Sequence, residues 1–300
     1  MDSALDQKVE LLRREVDGLQ ATVMGGSKPW YRNTSTILSV VALLFSFSTT
    51  FVSYNRTRVQ DIQNSRAELR GLLQRLSALP KENVEARRKY ADDPGALNLV
   101  GGFINQENAL LARQAAQIAR KLPPNTVSGV EYYAVAIALG NSYDLNTEGE
   151  FLRYSAAAAE QAKDFNTEIA VARTYAALQF QQGRPDMGRI EYEKASNIFG
   201  KYPGYDAYTK ASTTIWTELA WATSEASVGA FDQSRRHVQS AKAVVDTLPP
   251  GPGTAMLSAQ VAQAQVQLSG GQPVAATITP PPIELPQSLN DPAWGDQSAN

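Results

Sequence analysis

The feature that most constrains this chain is a run of 23 uncharged residues between Arg32 and Arg56. A helix of that length rises about 35 Å, enough to cross the ~30 Å hydrocarbon core of a bilayer. Trp30 and Tyr54 lie near its two ends beside basic residues, as is common where a helix leaves a membrane. We therefore predict a transmembrane helix over residues 35–54 and a single-pass protein that contacts the lipid bilayer.

Two alternatives to a membrane span are less consistent with the sequence. A buried helix of a soluble domain rarely extends so far without a charged residue facing solvent. A cleaved signal peptide is disfavoured because 34 residues with five acidic side chains precede the apolar run, and no small-residue cleavage site follows it.

Charge is distributed unevenly around the predicted span. Residues 1–89 carry 14 Lys/Arg against 9 Asp/Glu, whereas residues 90–300 carry 14 against 21. Within fifteen residues of the span, two basic residues precede it and three follow it, so the positive-inside rule favours a cytoplasmic C-terminal domain. Translocation of a charged 34-residue N-terminus without a signal sequence is unusual, and this favours the opposite orientation. The topology therefore stays open.

A heptad pattern precedes the span and predicts a coiled-coil helix over residues 1–24. Apolar residues alternate steps of four and three, with Val at each a position and Leu at each d position, which favours a parallel dimer. These residues are Leu5, Val9, Leu12, Val16, Leu19 and Val23. The alternative is an amphipathic helix that docks on another protein or lies on lipid headgroups. Gly and Pro residues over 25–34 predict a linker.

Small residues form a stripe on one face of the predicted span. They are Ser39, Ala42, Ser46, Thr49 and Ser53. Small residues let two membrane helices approach closely, so the stripe indicates self-association in a homo-oligomer. The high Ser and Thr content of the segment explains the same stripe without any contact between chains.

The span is followed by a second amphipathic segment, predicted as a helix over 55–80 that ends at Pro80. Its heptad positions are Val59, Ile62, Leu69, Leu73 and Leu76, with Arg66 at a polar position. Its basic face suits anionic lipid beside a membrane. A solvated connector helix fits the pattern equally well.

The remaining sequence predicts an all-α domain over residues 94–268. It is rich in Ala, lacks the period-two alternation of strands, and has Gly or Pro where helices should stop. Expected stops lie at Pro123–Pro124, Gly183–Pro185, Pro203–Gly204 and Pro249–Pro250. Expected N-caps are Asn105, Thr147 in a capping box with Glu150, Asn166 and Asp206.

Part of this domain repeats after 46 residues. The offset aligns Gly183 with Gly229 and Ala195 with Ala241. The order of turn glycine, small residue, large residue and small residue in "GRPDMGRIEYEKASNIF" resembles the second half of a tetratricopeptide repeat. The resemblance covers about residues 128–248, although the units exceed the 34-residue period of that family. It implies stacked antiparallel helical hairpins in an α-solenoid. An irregular Ala-rich bundle is the alternative.

The resemblance also implies a concave groove, lined by the first helix of each hairpin, that binds a peptide or a partner helix. The positions that would line it are Arg173, Ala177, Phe180, Trp216, Leu219 and Thr223. The Lys/Asn carboxylate clamp of some tetratricopeptide proteins is absent from the corresponding positions.

No catalytic, cofactor or metal motif is recognisable in the chain. Cysteine is absent, and the only histidine, His237, is expected to be a surface or packing residue. Basic residues near the span lack interleaved aromatic residues, so nucleic-acid binding is not indicated. Residues 270–300 form a Pro-rich tail predicted to be disordered, in which Pro280–Pro282 could form a polyproline II docking segment.

The sequence therefore predicts a membrane-anchored helical-repeat protein that acts as a protein-binding scaffold and not as an enzyme. The alternative is a signal-relay or envelope-organising protein whose coiled coils transmit or hold geometry across the bilayer while the repeats act as a spacer. An anchor swap distinguishes the two functions, because a scaffold would keep its partner and a relay would fail.

Overall fold

The computed structural model describes residues 2–24 and 34–269, and its regular structure over these ranges is entirely α-helical. The prediction of an all-α fold is confirmed for this part of the chain. The helices are α1 (Asp2–Met24), α2 (Thr34–Lys89), α3 (Pro94–Lys121), α4 (Gly129–Gly140), α5 (Leu145–Ala162), α6 (Phe165–Gln181), α7 (Pro185–Ser196), α8 (Ile198–Lys201), α9 (Ala207–Ser227), α10 (Phe231–Val245) and α11 (Pro252–Ser269).

The chain divides into two units, residues 1–64 and residues 65–300. The first unit contains α1 and the uncharged part of α2. In α1, the heptad residues Val9 and Val16 are exposed, and Leu12 and Leu19 are partly exposed. The other two heptad positions, Leu5 and Val23, have side chains outside the described set. Pairing of α1 with a second chain therefore stays a prediction.

The uncharged part of α2 exposes its apolar side chains along the helix. This helix is long enough and apolar enough to cross a membrane, and none of the residues in its most apolar stretch is buried in the protein. As expected for hydroxyl residues in such a helix, Ser48 Oγ donates to the Leu44 carbonyl at 2.8 Å, and Thr50 Oγ1 donates to the Ser46 carbonyl at 2.8 Å. The five residues of the predicted small-residue stripe are all exposed.

The prediction that a helix ends at Pro80 is wrong, because α2 continues through Pro80 to Lys89. Proline removes one backbone hydrogen bond, but contacts on both sides hold the helix together. Arg75 lies one turn before Pro80 and pairs with Glu82 just after it. The same guanidinium binds Glu107 of α3, with Nε 2.6 Å from Oε1.

The second half of α2 belongs to the core of the second unit. Leu69, Leu73, Leu76 and Leu79 are each less than 9% exposed, and three of them line a groove shared with α3 and α4. One domain boundary and one packing prediction need correction. The helical domain begins near residue 65 instead of 94, and the heptad residues of segment 55–80 from Leu69 onward pack within the chain instead of facing lipid, solvent or another subunit.

Three antiparallel helical hairpins form the body of the second unit: α4/α5, α6/α7 and α9/α10. The second helix of one hairpin contacts the first helix of the next, and α11 packs on α9 and α10. The hairpin turns contain Gly183 at φ 71° and Gly229 at φ 79°, a backbone region that favours glycine. These glycines are the 46-residue pair seen in the sequence. The repeat family itself stays a prediction.

Small residues lie where the two helices of a hairpin cross. A Cβ atom at Gly188 would lie 2.4 Å from the ring of Phe180 and 2.9 Å from the Ala176 carbonyl oxygen, so only glycine fits without rearrangement. The equivalent position in the next hairpin is Ser234, whose buried hydroxyl donates to the Ala222 carbonyl at 2.7 Å. The small-residue positions therefore reflect close packing between helices.

Aspartate is the N-cap residue of α3, α5, α6 and α9. Asp206 caps α9 as predicted, accepting from the Thr209 amide at 2.9 Å. The other three predicted N-caps are wrong. Asn105 lies inside α3, which begins after Asp93, and the caps of α5 and α6 are Asp144 and Asp164. A carboxylate accepts from the free amides and also interacts favourably with the positive end of the helix.

Candidate functional site

The residues predicted to line a concave groove occupy helices α6 and α9, but two of them are closed off. Phe180 is 3% exposed and Leu219 is fully buried, so neither lines an open surface. Phe180 packs with Tyr192 and α9, and Leu219 lies in the core of α9, α10 and α11. Trp216 packs against the core formed by α9, α10 and α11. Ala177 and Thr223 are partly exposed, and the Thr223 hydroxyl donates to the Leu219 carbonyl.

Arg173 joins α6 to α9 within the domain. Its Nε donates to Thr217 Oγ1 at 2.9 Å, and Nη2 donates to the Thr213 carbonyl at 2.6 Å. Burial lowers the pKa of this guanidinium to about 10, and over residues 34–269 no carboxylate pairs with it. Because both acceptors are on α9, we interpret Arg173 as a structural link between two hairpins.

An open groove lies on another face, between α5 and α7 and above α6. We name it the α5–α7 groove, and its volume is about 550 Å³. Its apolar floor contains Leu152, Ala156, Val171, Ala172 and Ile198, with Tyr175 at one side. The sequence resemblance pointed to first helices alone, whereas this groove is lined by the second helices α5 and α7 together with α6 and α8.

Charged side chains of both signs surround the α5–α7 groove. Lys201 Nζ lies 2.9 Å from a Glu160 carboxylate oxygen and 3.1 Å from Glu168, and Lys194 pairs with Glu191 at 2.7 Å. The Lys201 and Lys194 ammonium groups are about half exposed and therefore retain contact with water. The groove combines an apolar floor with an adaptable polar rim, the usual composition of a protein-binding surface.

A second groove of about 500 Å³ lies between α2, α3 and α4. We name it the asparagine groove after Asn83, Asn105, Asn108 and Asn141, which line it together with Ser77 and Tyr133. Its apolar lining consists of Leu73, Leu76, Leu79, Pro80, Ile104, Val130, Ala134, Ile137 and Ala138. None of these residues is charged.

The titratable residues at the α7–α9–α10 junction form a packed structural cluster. His237 stacks on Trp221 with ring centroids 4.1 Å apart, and His237 Nδ1 lies 2.8 Å from Glu218. Glu225 is 1% exposed and accepts two bonds from Arg189 and one from Trp221. Each charged group therefore already has a partner within the protein, which fits the packing interpretation of His237.

Glu148 is a buried acid at the first turn of α5. Its carboxylate covers Gly140, where a Cβ atom would lie 2.7 Å from the carboxylate carbon. Burial raises the pKa of Glu148 to about 7, and no basic side chain within residues 34–269 forms an ion pair with it. The same residues contain no cluster of three or more side chains arranged to hold a metal ion.

Comparison with known proteins found no matching family model, no similar curated protein and no similar solved structure. Functional inference therefore depends on the geometry of this chain alone.

Sequence reasoning missed both grooves. The asparagine groove needs residues 73–83 of α2, which were expected to lie outside the helical domain. A signal was present, since Leu79 before the proline and Ala86 after it are one heptad apart and lie on the same buried face of α2. The α5–α7 groove has no comparable signal, because it depends on the spacing between two hairpins.

Proposed function

We propose that this protein is a membrane-anchored scaffold whose helical domain binds an amphipathic helix of another protein in the α5–α7 groove. The observation that carries the proposal is an apolar helix face that no other described part of the protein covers. Leu38, Leu44, Phe45 and Phe51 are each at least 60% exposed. A soluble protein rarely exposes such a continuous apolar surface.

Lipid is the environment that best accounts for the uncharged part of α2. Its backbone bonds are made within the helix, as the hydrocarbon core requires, and its hydroxyls bond to carbonyls one turn earlier. Self-association is part of the same proposal. The described heptad residues of α1 are exposed or partly exposed, and the small-residue stripe of α2 is exposed. Both faces are open to pairing with a second copy tethered in the same membrane.

The helical domain supports binding through its hairpin architecture. The second helix of each hairpin packs against the first helix of the next one. This is the arrangement expected of a tetratricopeptide-like solenoid. Such stacks leave grooves between repeats, and the α5–α7 groove is one of them. A partner helix would place its apolar residues against Ala156, Ala172 and Tyr175, the apolar lining residues that are partly exposed.

The rim of the groove defines the chemistry of that partner. Lys201 and Lys194 can pair with acidic side chains, and Glu160 and Glu191 with basic ones. An amphipathic helix with charges of both signs beside its apolar stripe therefore fits better than a uniformly acidic or basic peptide. Rim charges of this kind contribute mainly to specificity and to the rate of association.

A matched pair of variants tests the groove. Ala156→Lys places a charged chain on the groove floor, whereas Ala157→Lys adds the same charge one residue along α5 at an exposed position. We expect Ala156→Lys to reduce binding by about tenfold or more, the effect of roughly 1.4 kcal/mol. Ala157→Lys should leave binding unchanged. The measurement is quantitative affinity capture by the full-length protein from solubilised native membranes.

The two variants also provide the control for folding, because both should retain the helical content and thermal midpoint of the parent chain. A protein recovered equally with the parent and both variants would show that the α5–α7 groove is not its binding site. If no protein is captured by the parent chain, the scaffold function itself is contradicted.

A further inference from the structure

The asparagine groove is the feature of the domain that the proposed function leaves unexplained. Its fifteen lining residues include no charged side chain, although 19% of the chain is Asp, Glu, Lys or Arg. An uncharged groove disfavours an acidic or basic ligand, because the charge would lose water without gaining a partner. The occupant should therefore be a neutral segment with apolar side chains.

The asparagines supply hydrogen-bond donors above an apolar floor. The side chains of Asn105 and Asn141 make no hydrogen bond to another residue within 34–269. Asn83 uses its Oδ1 atom to accept from Arg87 at 3.0 Å, which leaves its amide NH₂ group for another acceptor. Such a groove matches a backbone that has carbonyl acceptors but few N–H donors of its own.

The C-terminal tail of this chain contains a segment with that chemistry. From Ser269 to Ile283 it has no charged residue, and residues 280–282 are three consecutive prolines. Proline has no backbone N–H, so these residues present carbonyl acceptors and apolar rings. Proline-rich segments also lose little conformational entropy on binding, because they already favour the extended polyproline II conformation.

We propose that residues 277–283, "TITPPPI", occupy the asparagine groove of the same chain. The proline and isoleucine side chains contact Ile104, Val130 and Ile137, which are partly exposed. The amides of Asn83, Asn105 and Asn141 donate to the backbone carbonyls, whereas the Asn108 amide already donates to the Ala138 carbonyl and Ser142. This docking places the tail across α2, α3 and α4. It is independent of partner binding in the α5–α7 groove.

The tail is long enough to reach. Helix α11 ends at Ser269 and contacts α9, α9 contacts α6, and α6 contacts α4. Three steps between packed helix axes correspond to about 30 Å. Ten residues in a polyproline II conformation extend about 31 Å, which is a length of the same scale.

The absence of native cysteine gives a direct test. In the full-length protein, Ser77→Cys on the groove and Thr279→Cys on the tail form one pair. Ser240→Cys with Thr279→Cys forms the control pair, since Ser240 is exposed on α10. Helix α10 contacts α11, so undirected motion of the tail would favour the control. A disulfide requires Cα atoms within about 7 Å, which makes the reaction selective for docking.

We expect mild oxidation to cross-link the groove pair about tenfold more than the control pair, measured as the loss of both free thiols in protein that stays at the mass of a single chain. Adding Asn105→Asp to the groove pair should reduce the yield by about the same factor, because the docked tail would cover an unpaired charge. Asn105 is exposed, so the substitution leaves the fold itself intact. Equal yields from the two pairs would overturn the proposal. A cross-link found only between two chains would overturn it as well, since the occupant would then be the tail of a second copy.

Discussion

Replacing Arg189 with alanine is expected to lower the free energy of unfolding by about 3 kcal/mol, the lower end of the range for breaking one half of a buried ion pair. Arg189 Nε and Nη2 each lie 2.8 Å from a Glu225 carboxylate oxygen. Glu225 is 1% exposed, whereas Arg189 is about one-third exposed. The variant therefore leaves a carboxylate without its main partner, joined only by Trp221 Nε1 at 3.0 Å.

The loss of unfolding free energy in Arg189→Ala should depend on pH. Burial alone would raise the pKa of Glu225, but the hydrogen bonds from Arg189 and Trp221 outweigh it and hold the pKa below its usual value. The parent chain therefore gains stability from Glu225 above pH 4.5, and this gain is lost as pH falls through the lowered pKa. The difference between parent and variant should be largest at neutral pH and should narrow in acid.

Arg235→Ala is the matched control for this prediction. Arg235 is exposed on α10 and pairs only with Asp232 one turn away, an arrangement worth a few tenths of a kcal/mol. Chemical denaturation of both variants at neutral and acidic pH measures the two losses. If Arg189→Ala is no more destabilising than Arg235→Ala, the Arg189–Glu225 pair does not hold α7 against α9.

Glu148→Gln should stabilise the protein at alkaline pH by about 3 kcal/mol, because each pKa unit between folded and unfolded states corresponds to about 1.4 kcal/mol. Burial raises the pKa of Glu148 from 4.5 to about 7 in the folded protein. Below pH 4.5 the acid is protonated in both states and has no effect. Between 4.5 and about 7 the unfolded chain alone releases the proton, so stability falls as pH rises.

Glutamine keeps the shape of the protonated acid against Gly140 but cannot ionise. Parent and variant should therefore have similar stability near pH 4.5 and diverge up to about pH 7, which thermal or urea unfolding across that range can follow. Glu150→Gln provides a control of opposite sign, because the hydrogen bond from Arg120 lowers the pKa of Glu150. A Glu148→Gln variant with a parallel pH profile to the parent would show that Glu148 is solvated.

Helix ends were predictable from the sequence where they depend on local backbone requirements. Gly183 and Gly229 end helices at positive φ, and Pro123 and Pro249 follow helix ends as expected. Starts were less predictable because Asn166 and Asp164 are both good cap residues two positions apart, and the helix begins after Asp164. Pro80 was misinterpreted because its local penalty is outweighed by tertiary contacts of Arg75 and Leu79.

The candidate sites depended more strongly on long-range packing. Sequence spacing correctly indicated which small residues lie at helix crossings, such as Gly188. It could not show that Phe180 and Leu219 are covered by the next helices, since burial on a repeat surface depends on how closely hairpins stack. The same limit applies to the two grooves. Their volume is set by helix spacing and not by any one residue.

The most direct measurement of the central claim is alkaline carbonate extraction of native membranes that contain the full-length protein. Extraction releases peripheral proteins, whereas a helix that crosses the bilayer stays with the lipid. A variant with Val41→Arg and Phe45→Arg, both exposed on α2, serves as the comparison, because each arginine costs about 2.5–3.5 kcal/mol at the centre of a span. We predict that the parent chain remains in the membrane pellet and that the variant shifts to the supernatant. Release of the parent chain into the supernatant would contradict a transmembrane anchor.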